Sequence, residues 1–108
     1  MKNTKKTKIV NLTPHSIHEL ITGTVYPSEG LARCAVLSSD TGDRLNGVPV
    51  LEVEFGEVSG LPEPTPGVVY IVSQIVRSAC PDRKDVVFPG ELVRDENGQP
   101  VGCQGFRR

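Results

Sequence analysis

Residues 68–80 read VVYIVSQIVRSAC, which predicts a buried strand followed at once by a helix. The first five of these residues are all apolar, as is typical of a central strand covered on both faces. Ser73 suits a helix N-cap because its hydroxyl can accept a hydrogen bond from an amide of the first turn, and Pro81 stops the helix. We therefore expect one short helix over 73–80. Its buried face would carry four residues: Ile75, Val76, Ala79 and Cys80.

The composition around this unit favours sheet. The chain has fifteen Val and five Ile against eight Leu and three Ala, and β-branched side chains fit a pleated strand better than a helix. Eleven Gly and nine Pro indicate frequent turns. With 108 residues, we expect one globular domain over 8–108, preceded by a flexible basic tail at 1–7. The predicted fold class is α+β and mostly β: a small mixed sheet or partly closed β-barrel with one short helix.

Short apolar or alternating runs predict six further strands along the chain, at 8–13, 16–21, 25–26, 31–37, 48–58 and 86–88. Residues 38–47 are polar and contain glycine, so we expect a mobile loop there. Residues 60–67 include three prolines and predict a stiff, extended connector or the rim of a site.

The end of the chain carries the clearest turn signal. Asn97-Gly98 is the preferred residue pair of a type I′ turn, and strand-like runs flank it on both sides. Counting outward from this turn pairs Arg94 with Val101. Pro100 then falls at a pair that exchanges no backbone hydrogen bonds across the hairpin, so its missing N–H is not needed there. The side of Pro100 that faces away from the hairpin must then be a sheet edge. We predict a C-terminal β-hairpin with this register.

Charge and cysteine content exclude several function classes. Twelve basic and thirteen acidic residues give a net charge of −1, which argues against bulk electrostatic binding to nucleic acid. Three Phe, two Tyr and no Trp leave few side chains for base stacking. The apolar run at 9–12 is too short for a signal peptide, and the spacing of the three cysteines fits no zinc site. We expect a cytoplasmic protein with reduced thiols and no membrane contact.

Nucleophilic and metal chemistry find little support in the sequence. His15 and His18 would face opposite sides of a strand, and no third ligand is spaced nearby. We predict no metal site, no cofactor and no catalytic residue, and favour a non-enzymatic protein. The alternative is a hydrolase in which Ser73 or a thiol of Cys34, Cys80 or Cys103 works with His15.

Four arginines on separate predicted elements suggest an anion site: Arg33, Arg77, Arg83 and Arg94. The guanidinium group suits bidentate contact with phosphate or carboxylate. Ser73 at the start of the helix would add free amides to such a site. In the alternative interpretation each arginine pairs with a nearby acid, as Arg83 could with Asp85.

Polar residues also cluster where the first predicted strand ends. Asn11, Thr13 and His15 occur in Asn-Leu-Thr-Pro-His, and loops at strand ends often carry binding residues. These three side chains can offer hydrogen bonds to a ligand. Equally, they can cap their own turn, and both interpretations stay open.

Several motifs together resemble a group of small uncharacterised bacterial and phage-associated proteins. The motifs are NLTPH at 11–15, GLPEP at 60–64, YIVS at 70–73, PGxLVRD at 89–95 and VGC at 101–103. The likeness runs over residues 9–106, most of the chain. The resemblance implies a phage or prophage setting and no particular site residue.

The leading hypothesis is a small binding protein for an anionic ligand, most plausibly a nucleotide or nucleotide-derived signal. The alternative is a protein–protein interaction module that uses an exposed sheet edge, either on a host protein or in a homo-oligomer. In that case the hairpin with Pro100 and the proline-rich 60–67 would form the contact surface. Sequence-specific binding to nucleic acid is not expected.

Overall fold

The computed structural model describes residues 7–108 and consists mostly of β-structure. Its elements in chain order are β1 (Lys8–Asn11), β2 (Ile17–Glu19), β3 (Thr24–Tyr26), β4 (Arg33–Leu45), β5 (Val48–Ser59), β6 (Val68–Ile71), α1 (Gln74–Ala79), β7 (Val86–Arg94) and β8 (Pro100–Arg107). Six strands form one sheet, while β4 and β5 form a separate two-stranded ribbon. The predicted α+β, mostly β class is therefore confirmed.

The six-stranded sheet is mixed and runs in the order β1-β6-β7-β8-β2-β3. The pairs β1–β6, β6–β7 and β8–β2 are parallel, whereas β7–β8 and β2–β3 are antiparallel. Parallel neighbours need a crossover connection. The chain passes through β2, β3 and the ribbon between β1 and β6, and through α1 between β6 and β7.

The two ends of this sheet come close together. Asn11, at the end of β1, forms a bridge with Ser28, just after β3. The amide of Glu29 donates to the Asn11 carbonyl at 2.8 Å, and the amide of Ala32 donates to the Leu12 carbonyl at 2.9 Å. The sheet is consequently an almost closed barrel.

The predicted central strand is confirmed. β6 lies between β1 and β7, and Tyr70, Ile71 and Val72 are buried, the last two completely. A continuous apolar run fits a strand covered on both faces, and every position of β6 is buried or half-buried. Val86, on the neighbouring β7, is also fully buried and belongs to the same core.

The predicted helix is confirmed over Gln74–Ala79, and the Ser73 hydroxyl accepts a hydrogen bond from the amide of Val76 at 3.3 Å. The prediction for its buried face is partly wrong. Val76 is buried, but Ile75 is 48% exposed. A helix of fewer than two turns presents only a narrow face, and this one packs over the base of the ribbon and against β7.

The prediction of a mobile loop at 38–47 is wrong. β4 continues to Leu45 and pairs with Val48 across a two-residue turn of Asn46 and Gly47. Both turn residues have positive φ, 53° and 83°, as a type I′ turn requires. The ribbon is solvated on both sides here, so a polar sequence is compatible with strand.

The C-terminal hairpin is confirmed, but its predicted turn type and register are wrong. Gly98 has a φ of 77°, whereas Asn97 has none in the positive range, so the turn is not type I′. Asp95 accepts hydrogen bonds from the amides of Asn97 and Gln99, which favours an ordinary turn closed by Gly98. As a result, Arg94 pairs with Pro100 instead of Val101.

The strand predicted at 86–88 is longer than expected, because β7 runs through Pro89 and Gly90 to Arg94. A Cβ atom at Gly90 would collide with the Gln104 carbonyl of β8, so glycine allows the two strands to stay paired. The basic tail predicted at 1–7 lies, apart from Thr7, outside the described residues.

Candidate functional site

The best-defined cavity lies at one mouth of the barrel, where β2 and β8 begin. Its volume is about 400 Å³. This is within the range of roughly 300–1,000 Å³ that is usual for small-molecule sites. Its wall is mainly apolar and is formed by His15, Ser16, Ile17, His18, Pro89, Leu92, Pro100, Val101, Gly102 and Cys103.

The cavity exists because β2 and β8 pair over a very short length. Glu19 and Cys103 form the register pair between them, followed by a hydrogen bond of 2.8 Å from the Leu20 amide to the Cys103 carbonyl. Among the described residues, no register pair precedes it along these two strands. Gly102 passes so close to the His18 carbonyl that a Cβ atom would collide with it. The cleft is thus a gap between two strand starts.

His15 is placed in this wall by buried hydrogen bonds. The Asn11 amide donates to the His15 carbonyl at 2.8 Å and to the Tyr26 carbonyl at 2.8 Å. The Thr13 hydroxyl contacts the same His15 carbonyl at 3.0 Å and donates to the Asn11 Oδ1 at 2.7 Å. Both Asn11 and Thr13 are buried. Their polar atoms therefore hold the turn that carries His15, as the second interpretation of this motif expected.

Arg94, on β7, lies beside this cavity. It follows the wall residue Leu92 by two positions, across a register irregularity between Val93 and Arg94, and is not itself one of the lining residues. Its register partner is Pro100, another residue of the wall. One guanidinium nitrogen donates to the Gly98 carbonyl at 2.8 Å, and the residue is exposed.

The other predicted ligand residues lie elsewhere, and none lines this cavity. Arg33 is exposed at the start of β4 opposite Ser59. Ser73 caps α1, and Arg77 donates to the Cys80 carbonyl at 3.0 Å. Among the predicted site residues, His15 lines the cavity, Asn11 and Thr13 hold its turn, and Arg94 lies opposite the wall residue Pro100. Arg33, Ser73, Arg77 and Arg83 lie apart from it.

Arg83 has the local acidic partner that the alternative interpretation named. Its guanidinium binds the Asp85 carboxylate through two hydrogen bonds of 2.8 Å and reaches the Pro62 carbonyl at 2.9 Å. The hydrogen bonds to Asp85 raise the pKa of Arg83, and those from Arg83 lower the pKa of Asp85. This pair joins the loop after α1 to the proline-rich connector.

His18 and Cys103 were not predicted to share a site. The prediction that the two histidines face opposite sides of a strand fails because His15 lies in the turn before β2, outside the alternation. The His-x-x-His spacing was the available signal. Burial raises the pKa of the Cys103 thiol, and its Sγ donates to the Gly105 carbonyl at 3.6 Å. A protonated thiol is a weak nucleophile, which argues against Cys103 as the nucleophile in the hydrolase alternative.

A second, smaller hollow on the far side of β2 is occupied at its edge by Glu19. This buried carboxylate accepts hydrogen bonds from the amides of Ile21, Thr22 and Gly105 and from the Thr22 hydroxyl, at 2.6–2.9 Å. These bonds, the Thr22 hydroxyl first, lower the pKa of Glu19 to about 2. Glu19 therefore joins the β2–β3 turn to β8, and all its contacts are internal.

No family model matches the chain, and no curated protein or solved structure is significantly similar to it. Within residues 7–108, no three His, Cys, Asp or Glu side chains are grouped to hold a metal ion. Over the same residues, no helix has the length and apolar character needed to cross a membrane. All three cysteines are free thiols.

Proposed function

We propose that this protein is a non-enzymatic binding protein for a small organic anion, which occupies the cavity between β2, β7 and β8. The observation that supports this proposal most strongly is the combination of an apolar wall with two imidazole side chains, His15 and His18, and with Arg94 opposite the wall residue Pro100. Arginine and histidine are the side chains that bind carboxylate or phosphate by directed hydrogen bonds. None of the residues lining the cavity is acidic.

The favoured ligand class is a nucleotide or a nucleotide-like molecule. A flat ring would lie against the apolar wall of Leu92 and Val101, which are 51% and 42% exposed. The phosphate would meet Arg94 and the two imidazoles at the mouth. Burial of Leu92 and Val101 supplies affinity, while hydrogen bonds from the guanidinium and imidazole nitrogens supply specificity for the anion.

The first test is identification of what copurifies. Freshly purified protein is denatured, and the released small molecules are identified by mass spectrometry. Because the chain has two Tyr and no Trp, a bound nucleotide would dominate the ultraviolet spectrum. We expect a molecule that carries at least one carboxylate or phosphate.

The second test is titration calorimetry with adenosine monophosphate as the probe. Arg94→Ala should weaken binding by about ten- to hundredfold, the effect of losing one charge-assisted hydrogen bond. The midpoint temperature of thermal unfolding should be nearly the same for Arg94→Ala as for wild type, because the Arg94 side chain is exposed and makes one internal hydrogen bond. Lys84→Ala removes the same charge from the loop between α1 and β7 and should leave binding intact. Equal affinity of wild type and Arg94→Ala would contradict the assignment.

A further inference from the structure

The β4–β5 ribbon carries an apolar stripe on one face. The register pairs Val36 with Phe55 and Ser38 with Val53, and side chains directly opposite each other share a face. Leu51, two residues from Val53 on β5, lies on the same face. The apolar stripe, Val36, Leu51, Val53 and Phe55, has side chains that are 45–57% exposed.

This stripe is the continuation of the protein core. At the base of the ribbon Cys34 pairs with Val58, and both pack against the core cluster. A β-bulge lies between the pairs Cys34–Val58 and Val36–Phe55, and its extra residue is on β5. The alternation along β4 is therefore undisturbed, and Cys34 and Val36 lie on the same face. The core face therefore extends beyond the body of the protein, where nothing in the described chain covers it.

The opposite face of the ribbon is acidic. Leu37 pairs with Glu54, and Ser39 pairs with Glu52. These residues are exposed, and Leu37, at 56%, is the one apolar side chain among them. This face is therefore mainly polar, whereas all four residues of the stripe are apolar.

A two-stranded ribbon has little stability of its own in water. Beyond its base, this ribbon has no third strand on either edge among residues 7–108. The structure measures 64 Å along its longest axis against 24 Å along its shortest. A contiguous apolar patch on such an extension marks an interaction surface.

We propose that a second copy of this chain covers the apolar stripe. The two ribbons pack face to face and antiparallel, about a two-fold axis that passes near Ser38 and Val53. The body of the protein, which is the barrel together with α1, lies on the stripe side of the ribbon base. This position requires the antiparallel arrangement. Parallel ribbons would place the two bodies in the same space. In the antiparallel dimer, Phe55 of each copy meets Leu51 of the other.

Charge favours a second copy as the occupant. Pairing of the stripes directs Glu52 and Glu54 of both copies outward, away from each other and into water. Asp40, at the distal end of the stripe face, is already bound by Arg44 of its own chain at 2.9 Å. Two identical faces can therefore meet without placing an unpaired charge between them.

The size of the ribbon face sets the expected strength. A standard interface uses about 20–30 residues a side. One face of a ribbon with strands of 13 and 12 residues offers about half that number. We therefore expect a reversible dimer with a dissociation constant in the micromolar range, formed by the ribbon face alone.

Sedimentation velocity of the intact protein over a range of micromolar concentrations tests the dimer. Wild type should shift from monomer to dimer. Val53→Lys should remain monomeric, because it buries an unpaired ammonium group in the stripe. Leu37→Lys is the matched control on the acidic face, where the new cation lies opposite Glu54, and it should dimerise like wild type. A wild-type protein that is monomeric at the highest concentration overturns the proposal, as does a dimer of Val53→Lys.

Disulfide trapping tests the geometry. Ser38→Cys should give a covalent dimer on mild oxidation because it lies near the two-fold axis. Ser39→Cys, one residue along on the opposite face, should give no more than wild type, whose own cysteines are the background. Stronger trapping by Ser39→Cys overturns the assigned face. These experiments contain no small ligand, so their outcome is independent of the proposed anion site.

Discussion

The side-chain amide of Asn11 donates a hydrogen bond of 2.8 Å to the backbone carbonyl of His15, four residues further along the chain. Asn11 is completely buried, and the same amide also binds the Tyr26 carbonyl. One side chain thus ties the end of β1 to the turn before β2 and to the end of β3. The barrel closes at this point, and the wall of the cavity between β2, β7 and β8 begins at the same residues.

Asn11→Ala should therefore destabilise the protein by about 1–3 kcal/mol, the cost of leaving a buried polar group without a partner. The carbonyls of His15 and Tyr26 and the amide of Thr13 all lose a hydrogen bond. Urea unfolding at neutral pH measures the loss. Gln74→Ala, on an exposed position of α1, is the control and should change stability by less than about 0.5 kcal/mol. A similar effect of both substitutions would contradict the role of Asn11.

Glu19 should make stability depend on pH in the acid range. Its hydrogen bonds hold its pKa at about 2 in the folded protein, against 4.5 for an ordinary glutamate. Because the folded-state value is lower, the stabilisation is fully present above pH 4.5 and is lost as the pH falls toward 2. Urea unfolding measured across this window should show a steeper decline for wild type than for Glu19→Gln.

Glu19→Gln should also be less stable than wild type at neutral pH, because a neutral amide cannot accept hydrogen bonds from four donors as a carboxylate does. Glu54→Gln, on the exposed acidic face of the ribbon, serves as the control. An identical acid decline in wild type and Glu19→Gln would show that other groups cause it.

Gly60 should be essential at the base of the ribbon. Its φ is 80°, and a Cβ atom there would collide with the Leu31 carbonyl just before β4. Gly67 has nearly the same φ, 78°, but open space around it. Gly67→Ala should therefore cost about 1–2 kcal/mol from the left-handed backbone alone. Gly60→Ala should cost clearly more, and thermal unfolding of the two variants would measure the difference. Equal losses would exclude the steric contribution.

The sequence allows the prediction of those parts of the fold whose cause is local. An apolar run that ends at a capping serine predicts β6 and α1, because burial on both faces and the bond from Val76 to Ser73 involve neighbouring residues only. The long β4 escapes the same reasoning. Residues 38–47 are mostly polar and are exposed in the single chain, and polarity is also the mark of a loop.

The candidate site was only partly predictable for a related reason. Asn11, Thr13 and His15 are close in sequence, so their cluster is visible without a structure. Whether Arg94 joins them depends on the pairing of β7, β8 and β2, which no local pattern determines. For the same reason, no local pattern in the sequence could show whether Arg33, Arg77 and Arg83 lie close together.

The two Asn-Gly pairs of this chain should respond differently to the same substitution. Asn46 has a φ of 53° in a type I′ turn, whereas Asn97 has an ordinary negative φ. Asn46→Ala should therefore cost about 1 kcal/mol, since alanine tolerates the left-handed region poorly. Asn97→Ala should be nearly neutral, because the hydrogen bond at Asn97 uses its backbone amide and the Asp95 carboxylate.

Hydrogen exchange locates these effects in the structure. Asn46→Ala should speed amide exchange along the outer ribbon by about fivefold, the factor that corresponds to roughly 1 kcal/mol of local opening. Exchange in the β6 core should stay unchanged, because the ribbon opens without the barrel. In Asn97→Ala, the amides of β7 and β8 should keep their wild-type protection. Faster exchange at the C-terminal hairpin than at the ribbon would reverse the assignment of the two turn types.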